Sequence, residues 1–439
     1  MKTTSLAEDS LASLQWLVFL LANALALPIV IGDLYGFTPD EVAGLMQRTF
    51  FVVGLASLLQ GWLGHRLPLA DGPAGIWLGV FVILGGLARS QGTDAFETLR
   101  SLEGSMLLAG ILLIALSALG LFRRIMFLFT PLVTGSFLML LSLQLSGVFL
   151  KGTLGLSDDG SGLQAGPAIT GLCIFVLVLS LSLWGKGWWK SYAVLIGIVT
   201  GWLVFALSGW IREPLPLQGI LRLPEVLVWG MPSFNAGTSL SSVLVALVLL
   251  SNLVASYEAM NQALPDRKGA EDSRSLSRGG LWAGGNTVLS ALLSTVGTVP
   301  LSVSAGFVRM TGQTRLRPFL IACVSLCVIA IFPAIASVLS QLPGPVAYAA
   351  LLSTFAQMFG IGLSTVLRQS LDQRRMSILG ITLSMGAAVL FLPPPMFRVL
   401  PPVLQPILGN GLLVSMMLSI LLEQLWRPAK AAAAASKPQ

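Results

Sequence analysis

Pro68-Leu69-Ala70-Asp71-Gly72-Pro73-Ala74-Gly75-Ile76-Trp77 and Gly297-Thr298-Val299-Pro300-Leu301-Ser302-Val303-Ser304-Ala305-Gly306 are the two segments that decide the fold. Each follows a complete hydrophobic span, and apolar residues continue beyond it. Glycine and proline are unfavourable inside a helix, so each segment predicts a transmembrane helix that is broken along its length. We predict that the two breaks form the two halves of one binding site.

The composition is that of a membrane protein. Of the 439 residues, 55% are hydrophobic and only 10% are charged, whereas a soluble domain carries about 25% charged residues. The formal net charge of +7 is typical of basic cytoplasmic loops in a membrane protein. We therefore predict a polytopic protein of the lipid bilayer, with no nucleic-acid partner.

The hydrophobic pattern predicts an inverted repeat. Windows of about 20 apolar residues give twelve complete spans, and the two broken segments bring the number to fourteen. The breaks are then the third segments of two sets of seven. Because seven is odd, the second set is inverted, and the breaks approach the midplane from opposite sides. Most of the 26 basic residues fall on the side of the N-terminus, which predicts that both termini are cytoplasmic.

Polar residues inside the spans are the candidates for function. Asp71 and Glu258 are carboxylates that fall within predicted spans, where a charge is costly unless it has a role. Glu258 also lies close enough to the end of its span to reach interfacial water. Asn252 and Ser256 share a helix face at i, i+4, whereas Glu258 is about 120° from Asn252. The pair is suited either to ligand binding or to hydrogen bonding between helices.

Each break is expected to be followed by a half helix. Extended backbone from Leu67 to Pro73 would reach the midplane, and half helices would start near Ala74 and near Ser304. Unpaired N–H groups and the positive end of the helix dipole at such a start bind carbonyl oxygens or anions. Arg309, about one and a half turns into the second half helix, would either extend to the interface or add positive potential.

The sequence contains no phosphate-binding loop, no zinc-type spacing and no Ser/His/Asp set. These are the patterns that support enzyme chemistry. We therefore predict no enzyme activity, no cofactor and no metal site.

The sequence resembles the nucleobase–ascorbate transporters, also called nucleobase–cation symporter-2 or the xanthine/uracil permease family, over essentially its whole length. Within that family it is most similar to bacterial purine permeases. The resemblance is carried by motifs in the first, third, fifth and tenth segments: Ser13-Leu14-Gln15 with Pro28, Gly61 to Gly75, Phe129-Thr130-Pro131, and Gly306 with Thr311.

The resemblance implies an all-α fold of fourteen transmembrane segments in two inverted repeats of seven, with short strands and half helices in segments 3 and 10. A core domain would contain segments 1–4 (residues 1–125) and 8–11 (residues 239–343). A gate domain would contain segments 5–7 (residues 126–238) and 12–14 (residues 344–428), followed by a disordered tail at 429–439. It also implies a homodimer, elevator-type alternating access and proton coupling.

Three positions depart from the family pattern, and a fourth departs from that of the uracil permeases. Asn252 replaces the glutamate that contacts the base in the eighth segment, and Ser256 stands where uracil permeases have histidine. Val303, between Ser302 and Ser304, replaces the glutamate or glutamine of the tenth segment, and Trp16 replaces the histidine that commonly follows Gln15. The predicted substrate-binding residues are Asn252, Ser256, Gly75, Ser302, Val303, Ser304 and Trp77. The candidates for coupling or gating are Glu258, Asp71, Gln15 and Arg309.

We therefore predict a cation-coupled nucleobase transporter of the cytoplasmic (inner) membrane, with a purine or oxopurine such as xanthine favoured over uracil. The alternative is an anion transporter of the sulphate-permease type, which shares the fold and would use Arg309 and the two half-helix dipoles. A membrane enzyme or a sensor is a third interpretation, and it lacks candidate residues.

Overall fold

The computed structural model describes residues 6–92, 94–121, 126–156, 164–210, 219–264, 273–393, 396–397, 400–401 and 404–426. Within these residues eight helices are long and apolar enough to cross a membrane, or nine if the bent pair Leu316–Ala330 and Pro333–Leu339 counts as one span. The predicted all-α membrane fold is confirmed. The number of fourteen segments stays a prediction, because other apolar helices are shorter than a full span. The predicted tail at 429–439 lies outside the described residues.

The first half of the chain forms nine helices and one short strand within the described residues. In chain order these are α1 (Leu6–Ala24), α2 (Ala26–Tyr35), α3 (Pro39–Trp62), β1 (Asp71–Pro73), α4 (Gly75–Gln91), α5 (Ala95–Ala118), α6 (Pro131–Thr153), α7 (Ala165–Trp184), α8 (Trp188–Ser191) and α9 (Ala193–Leu207), with a 3₁₀ turn at Met126–Leu128.

The second half repeats the pattern of long helices around one short strand. Its elements are α10 (Ala236–Ala263), α11 (Ser273–Leu292), β2 (Thr298–Pro300), α12 (Val303–Thr311), α13 (Leu316–Ala330), α14 (Pro333–Leu339), α15 (Gly344–Val366), α16 (Gln373–Phe391), α17 (Gln405–Leu408) and α18 (Gly411–Leu425).

The two strands lie in the breaks and pair with each other. They are antiparallel, with Asp71 opposite Pro300 and Pro73 opposite Thr298. All residues of both strands are buried. Irregular backbone is tolerated inside a membrane protein only where its polar groups are satisfied internally, and the pairing achieves this by joining the two halves of the chain.

The local sequence explains where several helices begin. Helix α6 starts at the Phe129-Thr130-Pro131 motif, where the Thr130 side chain accepts a hydrogen bond from the Val133 N–H at 3.3 Å. Pro131 occupies the first turn, where a missing N–H costs nothing. Thr38 caps α3 in the same way and forms a capping box with Glu41. These caps fix where each span enters the membrane domain.

Glycines allow the long helices to approach closely. A Cβ added to Gly110 of α5 would lie 2.8 Å from the carbonyl oxygen of Gly284 on α11. A Cβ on Gly362 of α15 would lie 2.9 Å from the carbonyl oxygen of Gly135 on α6. Small residues at helix crossings are the usual means of tight packing in membranes, and here they bring α5 against α11 and α6 against α15.

Candidate functional site

The candidate site is built on the carbonyl group of Pro300, the last residue of β2. This oxygen accepts hydrogen bonds from Asn252 Nδ2 at 3.1 Å and from Ser256 Oγ at 2.9 Å. The Ser256 hydroxyl is also 2.9 Å from that of Ser302. The shared face of Asn252 and Ser256 thus meets the second break. Glu258 is exposed, outside this cluster.

The start of α12 borders open space. Ser302 is exposed and the Val303 side chain is 47% exposed, while Ser304 is buried and its hydroxyl accepts a hydrogen bond from the Ala70 N–H at 3.2 Å. The three predicted site residues therefore differ in environment. Ser302 and Val303 are accessible at the helix start, and Ser304 connects that start to the chain that enters β1.

The start of α4 is more enclosed. The Ala74 N–H donates to the Gly297 carbonyl at 2.9 Å. A Cβ on Gly75 would lie 2.8 Å from Cζ of Phe355 on α15, so this aromatic ring covers the helix start. Trp77 is fully buried, and its indole occupies the space that a Gly297 side chain would need. In this structure Trp77 therefore packs on Gly297.

Asp71 belongs to a buried polar network. Its side chain is 2% exposed and accepts a hydrogen bond from Asn286 Nδ2 on α11 at 3.0 Å. Its N–H donates to the Ser57 hydroxyl at 2.9 Å, and that hydroxyl donates to the Asp71 carbonyl at 3.2 Å. Sequence reasoning missed Asn286 and Ser57. Single small polar residues in long apolar spans carry no signal of the strand that they will meet.

The two remaining candidates lie in the middle of α1 and in the last turn of α12. Gln15 Oε1 accepts a hydrogen bond from Gln313 Nε2 at 3.2 Å, which ties α1 to the segment after α12. Arg309 is exposed in the last turn of α12. Trp16 packs against Phe307, with ring centroids 4.6 Å apart. The side of α12 that faces α1 is therefore an aromatic packing surface.

A second buried carboxylate, Glu103, was also missed. Its Oε1 accepts a hydrogen bond from Ser294 Oγ at 2.5 Å, and the Ser294 carbonyl accepts one from Arg48 Nε at 3.3 Å. Glu103 lies about two turns inside α5 because this helix begins at Ala95, well before the start that hydropathy predicts. The polarity of the first turns concealed that Glu103 lies inside the helix.

Known proteins similar to this chain are permeases. It is 31% identical to YwdJ of Bacillus subtilis, named provisionally as a purine permease, over 96% of this chain and 97% of that protein. It is 25% identical to the xanthine permease of Bacillus subtilis, over 93% and 91% of the two chains. It is 23% identical to the uric acid transporter UacT of Escherichia coli, over 93% and 84%.

Solved structures share the fold at lower sequence identity. The transmembrane domain of the cyanobacterial bicarbonate transporter BicA superposes with a TM-score of 0.61 at 14% identity, covering 96% of this chain and 98% of that one. The murine anion transporter Slc26a9 in its inward-facing state gives 0.61 at 12% identity, covering 97% and 69%. These similarities concern the fold alone. The model of the permease family (Xan_ur_permease) matches residues 7–394, and the chain belongs to this family of membrane transporters, which are not enzymes.

Proposed function

We propose that this permease carries a nucleobase across the cytoplasmic membrane, that it prefers an oxopurine such as xanthine to uracil, and that transport is coupled to protons. Xanthine and uric acid appear in the names of its relatives, which supports the substrate class. The proposed site comprises Asn252, Ser256 and Ser302, the starts of α4 and α12, and the accessible Val303.

The observation that carries the proposal is the convergence of Asn252 and Ser256 on the Pro300 carbonyl, directly before an accessible helix start. A planar base presents carbonyl oxygens and ring N–H groups on its edge. Helix-start N–H groups bind the former, and serine and asparagine oxygens accept from the latter. Without a carboxylate at Asn252 or Val303, the site has less capacity to bind N–H donors. An oxopurine edge rich in carbonyl oxygens therefore fits it better.

The packing supports a division into core and gate domains. In the proposed core, α3 packs against α13 and α5 packs against α11 and α10. In the proposed gate, α15 packs against α6 and α7, and α16 packs against α18. An elevator mechanism moves the first group against the second. We further propose a homodimer with both termini in the cytoplasm.

Uptake by the purified full-length protein in liposomes tests the function. We expect accumulation of radiolabelled xanthine or uric acid, with weaker accumulation of uracil. Asn252→Ala removes the hydrogen bond that we propose between Asn252 and the base. Such a bond is worth about 1 kcal/mol, so the apparent affinity for the base should fall roughly fivefold. Asn235→Ala, the same change beyond the other end of α10, is the matched control. Failure to take up any purine or pyrimidine would refute the proposal.

Anion transport is the second candidate, since both structural neighbours described above are named for anion or bicarbonate transport. In that case Arg309 would supply the positive charge. Chloride, sulphate or bicarbonate flux that disappears in Arg309→Gln, without nucleobase uptake, would favour it. For nucleobase transport we expect Arg309→Gln to retain uptake, because Arg309 lies in the last turn of α12 and away from its start.

A further inference from the structure

Asp71 and Asn286 each carry a buried side-chain oxygen that lacks a hydrogen-bond donor. Among the described residues, neither Asp71 Oδ1 nor Asn286 Oδ1 has a partner, although the same two side chains are joined through Asn286 Nδ2 and Asp71 Oδ2. Nδ2 also donates to the carbonyl of Ala56 at 3.2 Å. Both amide hydrogens are therefore used, and the amide oxygen can only accept.

A single proton satisfies both oxygens. An ionised aspartate offers acceptors only, so two buried acceptors would remain unpaired, which is unfavourable. A protonated Asp71 instead has an O–H group that donates to the Asn286 oxygen, while the amide N–H continues to donate to Asp71 Oδ2. Acid and amide then form a reciprocal pair. Protonation also removes a charge from a site that is almost entirely shielded from water.

Among the residues that the structure describes, no cationic side chain pairs with the Asp71 carboxyl. Strand β1 packs against α1, α3 and β2, and the titratable group that interacts with Asp71 from α13 is the thiol of Cys323. On α3, Arg48 donates to the Ser294 carbonyl instead. Near the start of α1, Asp9 pairs with Arg315 and Arg317. Near the start of α11, Arg274 and Arg278 are exposed.

We propose that Asp71, paired with Asn286, binds the proton that drives transport. This deepens the proposed function and rests on it. The site takes a proton from water on one side, forms an O–H bond at Oδ1, and releases the proton to water on the other side. Asp71 lies directly opposite Pro300 in the strand pair. The Pro300 carbonyl accepts the hydrogen bonds of Asn252 and Ser256. Loss of the proton leaves two acceptors facing each other, which separates β1 from α11 and shifts the strand on which the substrate site is built.

Infrared spectroscopy tests the proton site without any substrate. The full-length wild-type protein, titrated with pH, should show the carbonyl band of a buried protonated acid that appears and disappears with protonation. The band should be absent in Asp71→Asn and present in Glu103→Gln, which alters another buried carboxylate. A band that persists fully in Asp71→Asn, or its absence in the wild type, would overturn the proposal even if nucleobases are transported.

Liposomes with a clamped membrane potential test the coupling. A gradient of about one pH unit should let a one-proton symporter accumulate its base about tenfold. Asp71→Asn should reduce this ratio to about one, as it removes the proton site. The exchanged pair Asp71→Asn with Asn286→Asp keeps one acid and one amide, so it should restore both the band and accumulation. It also provides the test if the single variant does not fold. Accumulation by Asp71→Asn at the wild-type ratio, or an exchanged pair without band and accumulation, would refute the assignment.

Discussion

Alanine at Asn252 and at Ser256, singly and together, should destabilise the protein more than additively. Both side chains donate to one acceptor, the carbonyl of Pro300, in a strand that is buried throughout. Either single variant leaves this carbonyl with one donor and lowers the free energy of unfolding by about 1 kcal/mol. The double variant leaves a buried carbonyl without both donors and adds a penalty of roughly 1–3 kcal/mol.

The coupling between the two sites can be measured as a double-mutant cycle. The assay is the thermal unfolding midpoint of the purified protein in detergent, without ligand, so the result depends only on the structure. We expect the decrease for the double variant to exceed the sum of the two single decreases. Additive decreases would refute the shared acceptor, since they would mean that each side chain acts on a different partner.

Three further predictions test other contacts. Gly297→Ala should abolish folding or transport, because its Cβ would overlap the Trp77 indole. Gly306→Ala is the control, since no atom lies within 4 Å of its Cβ, and it should leave expression and the thermal unfolding midpoint unchanged. Tyr348→Phe removes a 2.7 Å hydrogen bond to Asp33 that joins α15 to α2, and it should raise labelling of cysteines introduced between those helices. Unchanged labelling would show that the bond does not hold the two helices together. Thr130→Ala removes the cap of α6 and should cost about 1 kcal/mol, visible as a lower thermal midpoint, and an unchanged midpoint would contradict the cap.

The breaks were predictable because their signals are local. The predicted half-helix starts near Ala74 and Ser304 lie one residue from the observed starts at Gly75 and Val303. Proline and glycine act on the backbone of their own segment, so no knowledge of distant residues is needed. The same holds for Thr130, whose cap is formed within one turn.

The partners of the site residues were not predictable, since they depend on how distant spans pack. Helical spacing placed Asn252 and Ser256 on one face and Glu258 on another, but it did not indicate that the shared face meets a backbone carbonyl. Trp77 was expected to face the substrate, and its contact with Gly297 depends on a close approach of two segments that the sequence does not encode locally. Its proposed role stays a prediction. Asn286 has no local feature that distinguishes it from a residue that merely bonds two helices.

The strand pair also constrains how the protein is made. Asp71 is synthesised long before Pro300, and at about 5–20 residues per second the intervening chain takes roughly 10–45 seconds to leave the ribosome. Throughout that interval the backbone of the first break has no strand to pair with. Unpaired peptide groups are not tolerated in lipid. We therefore expect the first broken segment to remain in water or in contact with the insertion machinery, and to enter the membrane domain only when the second half of the chain has been synthesised.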